Sequence, residues 1–143
     1  MQKIKTYFTF DEMNPHGYQL TNEVHDNIST LIERMSAVRL SYGKPMLVTS
    51  GLRSAVLQAQ LIEDGISKAV KSKHLIGAAC DIADPDGELG KWCLKNRHLL
   101  EALQLWCEDP AYTVRKDKDG KVLSRWLHAQ IFPPASGKRF FKP

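Results

Sequence analysis

Cysteine is scarce in this chain, and two kinds of architecture depend on it. The 143 residues include three cysteines, Cys80, Cys93 and Cys107, which are an odd number and contain no Cys-x-x-Cys pair. The count therefore argues against a disulfide framework and against a four-cysteine zinc knuckle. We expect the protein to be made in a reducing cytoplasm.

Long apolar runs are also missing. Nowhere do about 18 consecutive apolar residues occur, so no segment is expected to span a membrane. Residues 1–12 carry Lys3, Lys5, Asp11 and Glu12 and no apolar core of a secretory signal. We therefore expect synthesis in the cytoplasm without a signal peptide, so that a target outside the cytoplasm is reached only after release by another protein.

Repeats, low-complexity tracts and long linkers are absent, so one domain over residues 1–143 is expected. The hydrophobic content of 43% is enough for a core. A formal net charge of +4 predicts weak attraction to an anionic polymer. Helix-turn-helix, RRM-type and basic aromatic helix signatures are all missing, so we expect no nucleic-acid partner. An anionic bacterial cell wall fits the charge equally well, and a monomer is the default expectation.

Apolar spacing predicts three helices and three strands. The first helix is predicted to begin at Thr21 or Asn22 and to stop at residues 43–45, with an apolar face of Val24, Ile28, Leu31, Ile32, Met35 and Val38. The other predicted helices cover residues 54–65 and 88–106, the second with Asn96 as a candidate break. Strands are predicted at residues 45–50, 78–83 and 122–132, with an exposed hairpin loop at residues 115–120.

Two histidines and one aspartate are candidate metal ligands. His74 precedes Asp81 with Gly77 between them, and His128 lies far downstream on the last predicted strand. Gly77 favours a loop that carries His74, a glycine turn and then a strand. On that strand the side chain of Asp81 would lie on the same side as small residues, which leave room for a metal. Two imidazoles and one carboxylate form a zinc ligand set with an open fourth position, which suits hydrolytic chemistry. The alternative without a metal is a polar turn and a strand histidine that make ordinary hydrogen bonds.

Three segments, in this order along the chain, resemble a known family. They are Thr-Ser-Gly-Leu-Arg-Ser at residues 49–54, Ser-x-His-x-x-Gly-x-Ala-x-Asp at residues 72–81 and Trp-x-His-x-Gln at residues 126–130. Together they are similar to the zinc D-Ala-D-Ala carboxypeptidase and L-Ala-D-Glu endopeptidase family, whose fold is shared with Hedgehog signalling domains. The resemblance implies a small α+β domain with a central antiparallel sheet flanked by helices.

The resemblance also implies a reaction and its participants. Zinc would be held by His74, Asp81 and His128, and amide bonds in peptidoglycan stem peptides or cross-links would be hydrolysed, as in phage lysis enzymes. Arg53 matches an arginine that helps to stabilise the oxyanion; the alternative is a buried ion pair. Ser72 and Gln130 are expected to make hydrogen bonds beside the ligands.

One position departs from the family pattern. Related peptidases often carry an acidic general base three residues before the last histidine, and here that residue is Arg125. Such a base contributes about 10²–10⁴-fold in rate. Glu108 and Asp109, at the end of the predicted helix, are the best substitutes. If neither substitutes, the protein is a zinc-binding wall or structural domain without catalysis.

Overall fold

The structure is a computed structural model that describes residues 5–67 and 72–143. Five α-helices lie in this part of the chain: α1 (Phe10–Met13), α2 (Asn22–Tyr42), α3 (Ala55–Glu63), α4 (Glu88–Lys95) and α5 (Arg97–Leu103). A 3₁₀ helix covers Lys73–Ile76. The strands are β1 (Val48–Ser50), β2 (Ala79–Ala83), β3 (Trp106–Glu108), β4 (Val114–Lys116), β5 (Val122–Gln130) and β6 (Phe140–Phe141). In the described ranges, no helix is long and apolar enough to cross a membrane.

Helix α2 confirms the prediction made from its apolar spacing. The hydroxyl of Thr21 accepts a hydrogen bond from the backbone N–H of Val24 and so caps the first turn. Gly43 ends the helix with a left-handed backbone. Most of the predicted apolar face is buried in the core, namely Ile28, Leu31, Ile32, Met35 and Val38. This helix therefore serves as the scaffold on which the sheet packs.

The sheet has six strands in the order β1-β2-β5-β3-β6, with β4 paired to β5 away from this path. Every pair is antiparallel except β3 with β6, which is parallel. The α+β class is confirmed, while the sheet is mixed rather than wholly antiparallel. The parallel pair arises because the C-terminal segment returns to β3, where the N–H of Cys107 donates to the carbonyl of Arg139.

The helix predicted over residues 88–106 is wrong only at its C-terminal end, because α4 and α5 cover residues 88–103 apart from Asn96. It breaks at Asn96 as expected, but α5 ends at Gln104, whose φ of 54° turns the chain back. Trp106–Glu108 is a strand, although its apolar spacing continues that of the helix. Strand pairing prevails because it buries Cys107 completely beside Ala129 of β5. Of the two carboxylates predicted at a helix end, Glu108 therefore belongs to a strand and Asp109 to the turn that follows it.

The other predicted boundaries need smaller corrections. The strand over residues 45–50 was expected to be buried, yet β1 covers only Val48–Ser50 and is partly exposed at the sheet edge. Of the helix predicted over residues 54–65, Ala55–Glu63 form α3, with Ser54 as its N-cap. The polar stretch at residues 115–120 includes the end of β4 as well as the hairpin turn.

The two faces of the sheet carry different kinds of side chain. Asp81 pairs with His128, and their neighbours Ala79 and Gln130 pair beside them on the same face. The alternate residues face the other way into the apolar core: Cys80, Ile82, Leu127 and Ala129. Strand periodicity thus separates the polar ligands from the core that holds the sheet in place.

Gly51 allows the closest backbone contact in this region. A Cβ at this position would overlap the carbonyl group of Met13, which also accepts a hydrogen bond of 2.8 Å from the N–H of Leu52. Gly51→Ala should therefore lower the free energy of unfolding by about 2–3 kcal/mol, the usual cost of overpacking. Denaturant unfolding would measure it. Thr49→Ala, which removes one hydrogen bond to a backbone carbonyl, should cost about 1 kcal/mol; equal losses in the two variants would contradict the steric argument.

Candidate metal centre

Three side chains from separate elements meet at one point of the site. His74 comes from the 3₁₀ helix, Asp81 from β2 and His128 from β5. One potential ligand atom from each lies within 4.8 Å of the others. All three side chains are buried, with exposed fractions of 2%, 8% and 6%. The structure therefore brings together the three residues that the sequence singled out.

Local geometry explains why they meet. Asp81 and His128 are direct partners in the β2–β5 register, so their side chains leave the sheet on the same face. His74 arrives from the preceding turn, which Gly77 closes with a φ of 71° before the chain enters β2. The predicted order of loop, glycine turn and strand is confirmed, with the loop wound into a 3₁₀ helix.

A backbone carbonyl sets the orientation of His74. Its Nδ1 lies 2.8 Å from the carbonyl oxygen of Gly51, which can only accept, so Nδ1 carries the hydrogen. The other nitrogen, Nε2, points to Oδ1 of Asp81 at 3.3 Å. Ser72 supports the same residue, because its hydroxyl accepts a hydrogen bond of 3.2 Å from the backbone N–H of His74. Nε2 of His74 is therefore directed at the shared point.

The buried side-chain amide of Gln130 orients His128, and here the hydrogen is placed on Nε2 rather than on Nδ1. Nε2 of His128 lies 2.8 Å from Oε1 of Gln130, whose own Nε2 donates to the carbonyl of Phe132 at 2.8 Å. That second bond fixes which end of the amide accepts, so Nε2 of His128 is the protonated nitrogen. Nδ1 then faces Oδ1 of Asp81 at 3.0 Å. Gln130 takes the supporting position expected from the motif.

The donor set fits zinc. His74 Nε2, Asp81 Oδ1 and His128 Nδ1 would be the ligand atoms, and each imidazole donates its other N–H to an oxygen acceptor, as metal-binding histidines generally do. Two nitrogens with one carboxylate oxygen suit zinc, while calcium and magnesium prefer oxygen alone. Three protein ligands match the number found in catalytic zinc sites.

The same proximity shifts the acid–base properties of the metal-free site. Burial alone would raise the pKa of Asp81, but the charge of His74 and hydrogen bonds from both imidazoles hold it well below its usual range. Burial alone would lower the pKa of His128, yet the hydrogen bond to Asp81 and the charge of Glu108 raise it to about 9. At neutral pH, Asp81 is therefore ionised and His128 is protonated.

Zinc binding should consequently depend on pH. Because His128 must lose its proton to bind a metal, the apparent zinc affinity should rise about tenfold per pH unit up to about pH 9 and level off above it. The sign follows from competition, since protons occupy the ligand below that pH. Calorimetry in two buffers of different ionisation enthalpy should show release of about one proton at pH 7. Zinc binding without proton release would contradict the prediction.

Arg53 follows β1 and lies beside the three candidate ligands. Its Nη2 lies 3.1 Å from Oδ2 of Asp81, its Nη1 donates to Oε1 of Gln58 at 3.0 Å and its Nε donates to Oγ of Ser50 at 3.0 Å. The buried ion pair considered as the alternative for this arginine is therefore present. The action of Arg53 on an oxyanion stays a prediction.

Two of these partners were not singled out from the sequence. Ser50 lies inside the segment at residues 49–54 but carried no role. Gln58 is 2% exposed, and the signal for it was its helical spacing from Leu61 and Ile62, which puts a polar residue among apolar neighbours. A buried glutamine on an apolar helix face requires partners, and Arg53 is one of them.

Glu108 reaches the site from β3. Cys107 pairs with Ala129 on the core face, so the next residue, Glu108, lies on the same face as His128. Its Oε1 is 3.9 Å from Nδ1 of His128, and burial raises its pKa. The other candidate, Asp109, lies in the following turn, where its Oδ1 accepts a hydrogen bond of 2.9 Å from the N–H of Ala111.

Arg125 is directed away from the candidate ligands. It lies three residues before His128 in a regular strand, and an odd separation places two side chains on opposite faces. On its own face it lines a cavity together with Asp84 and Gly87. Arg125 therefore lies outside this site, and Glu108 is the carboxylate found beside the three candidate ligands.

Comparison with known proteins identifies a family and a similar fold. Residues 6–99, which include His74 and Asp81, match the family described as Peptidase M15. The fold is similar to that in a crystal structure of the Serratia marcescens L-Ala D-Glu endopeptidase ChiX, with a TM-score of 0.50 and 20% identity over 83% of this chain and 93% of that one. No curated protein matches. The resemblance drawn from the three segments is confirmed, and this chain belongs to the peptidase M15 family.

Proposed function

We propose that this protein is a zinc-dependent peptidase that hydrolyses amide bonds in peptidoglycan stem peptides or cross-links. The observation that carries the proposal is the grouping on one sheet face of three zinc-type donors, His74, Asp81 and His128, with a buried carboxylate, Glu108, beside them. A ligand set alone would fit a storage or structural site. An adjacent carboxylate that does not belong to that set is what amide hydrolysis requires in addition.

The chain's own residues divide the chemistry between them. Zinc, when bound, supplies a Lewis acid that polarises a carbonyl oxygen and activates a water. Glu108 takes a proton from the attacking water and delivers it to the departing amine. Its pKa, raised by burial, suits the first part of this task, because a carboxylate with a raised pKa accepts a proton more readily. Gly51 and Gln130 hold the two imidazoles in place throughout, and Ser72 holds the backbone of His74.

Peptidoglycan is proposed as the substrate on two grounds. The chain belongs to the peptidase M15 family, and the protein with the similar fold is described as an L-Ala D-Glu endopeptidase. The formal net charge of +4 also favours an anionic polymer such as the wall. Endopeptidase and carboxypeptidase action are both compatible with these grounds. We predict a role as a phage or prophage lysis enzyme that is released from the cytoplasm to act on the wall.

Digestion of purified cell wall tests the proposal. We expect new amino termini and shortened muropeptides in mass spectra, lost when a chelator is added and restored by added zinc. The masses of the products would identify the bond and so separate endopeptidase from carboxypeptidase action. Binding to the wall without cleavage, in a protein that contains zinc, would instead support the alternative of an inactive wall-binding domain. The position of Glu108 argues against that alternative.

A further inference from the structure

A line of hydrogen bonds leads from the candidate metal centre into α3. Nη2 of Arg53 binds Oδ2 of Asp81 at 3.1 Å, and Nη1 of Arg53 donates to Oε1 of Gln58 at 3.0 Å. Gln58 in turn donates from Nε2 to Oγ of Ser67 at 2.9 Å. The backbone N–H of Ser67 donates to the carbonyl of Leu61, so this end of the line is tied to α3.

The two carboxylate oxygens of Asp81 contact different groups. Oδ1 faces Nε2 of His74 at 3.3 Å and Nδ1 of His128 at 3.0 Å, which is the side where a metal would bind. Oδ2 is held by Arg53. A carboxylate whose second oxygen is engaged in this way presents a single oxygen, in one orientation, to an ion. Arg53 therefore acts on the metal through Asp81.

Arg53 depends on Gln58 for its own orientation. An arginine side chain has several rotatable bonds, and holding it in one conformation costs entropy unless its donors are engaged. Gln58 is 2% exposed, whereas the Arg53 side chain is 13% exposed, so the amide is the more deeply buried anchor. Oε1 of Gln58 accepts from Nη1, while Nη2, on the same guanidinium carbon, faces Asp81. Ser50 would still accept from Nε of Arg53, but losing the amide would remove the anchor at the Nη end, which is the end that holds the carboxylate.

We propose that Gln58 is a positioning residue for the metal centre, acting through Arg53 on Asp81. The inference rests on the zinc site of the proposed function and adds a residue of α3 that is not itself a candidate ligand. Supporting groups around a metal typically contribute 10–100-fold in metal affinity or activity. Gln58 provides this support although it does not contact any of the three candidate ligands in the described hydrogen bonds.

Zinc titration of the metal-free protein tests the inference without reference to activity. Gln58→Met keeps the volume and removes both polar groups, and it should weaken zinc binding by about tenfold or more. Gln58→Glu keeps an acceptor for Arg53 and should restore most of the affinity. Gln60→Met is the matched control on the same helix, since Gln60 is exposed and pairs only with Asp64 among the described contacts. Its zinc affinity should equal that of the wild type.

A double-mutant cycle separates positioning from a general effect on the fold. If Gln58 acts through Arg53, Gln58→Met should cost almost nothing further in a chain that already carries Arg53→Lys. Full additivity of the two losses would overturn the inference, as would unchanged zinc affinity in Gln58→Met. Should Gln58→Met not fold, Gln58→Asn, which keeps the amide but shortens its reach, carries the same two outcomes. A wild type that binds no zinc would overturn the proposed function as well, whereas the outcomes above concern Gln58 alone.

Discussion

Glu108→Gln is expected to lower kcat for amide hydrolysis by about 10²–10⁴-fold, the usual contribution of a general base. The substitution keeps the size and hydrogen-bonding shape of the side chain but removes the group that accepts a proton. Because Glu108 lies beside the three candidate ligands and is not one of them, zinc content should stay at the wild-type level. Steady-state kinetics on a purified muropeptide, with metal analysis of the same sample, would measure both.

Asp109→Asn is the matched control for this substitution. It changes the neighbouring carboxylate in the same way, but that side chain accepts a hydrogen bond from the N–H of Ala111 in the turn after β3. Its activity should therefore remain close to that of the wild type. Full activity in Glu108→Gln would remove Glu108 from the mechanism, and a large loss in Asp109→Asn alone would assign the base to the other carboxylate.

His128→Ala is expected to abolish both zinc binding and hydrolysis. The substitution removes one of three donor atoms, and the loss in zinc affinity should exceed the 10–100-fold typical of groups that only support a ligand. It also removes a hydrogen-bond partner from the buried carboxylate of Asp81. Metal analysis after dialysis should find much less than one zinc per chain, and muropeptide release should fall to the background level.

His98→Ala provides the comparison for a histidine outside the site. His98 is exposed on α5, so its loss should leave zinc content and activity unchanged. One zinc per chain retained in His128→Ala would show that the ion is bound elsewhere or by other donors. Equal losses in both variants would point to an effect on the fold rather than on the ligand set.

Local sequence patterns predicted the elements whose stability is local or strongly periodic. Helix α2 has a long apolar stripe, a threonine cap and a glycine end, and these features determine its bounds without reference to the rest of the chain. The turn at Gly77 and the strand that carries Asp81 were predicted for the same kind of reason. By contrast, Trp106–Glu108 carries the spacing of the preceding helix and becomes a strand only because it pairs with β5.

The positions of Glu108 and Asp109 show where sequence reasoning stops. Whether a carboxylate lies beside the candidate ligands depends on where β3 ends and on its register with β5. That register is a contact between distant segments, Cys107 with Ala129, and no local pattern encodes it. The partners of Arg53 were undetermined for the same reason, since Asp81 and Gln58 lie on different elements.

The amino-acid sequence by itself determined the three candidate ligands, the family and the main helix, because residue type and short-range spacing carry that information. The tertiary structure alone decided which nitrogen of each imidazole faces the candidate metal position, which carboxylate lies beside the ligands and what holds Arg53. Each of these depends on a hydrogen bond or strand register between residues far apart in the chain. Such contacts exist only after the chain has folded, since their energies come from burial and pairing rather than from local conformation.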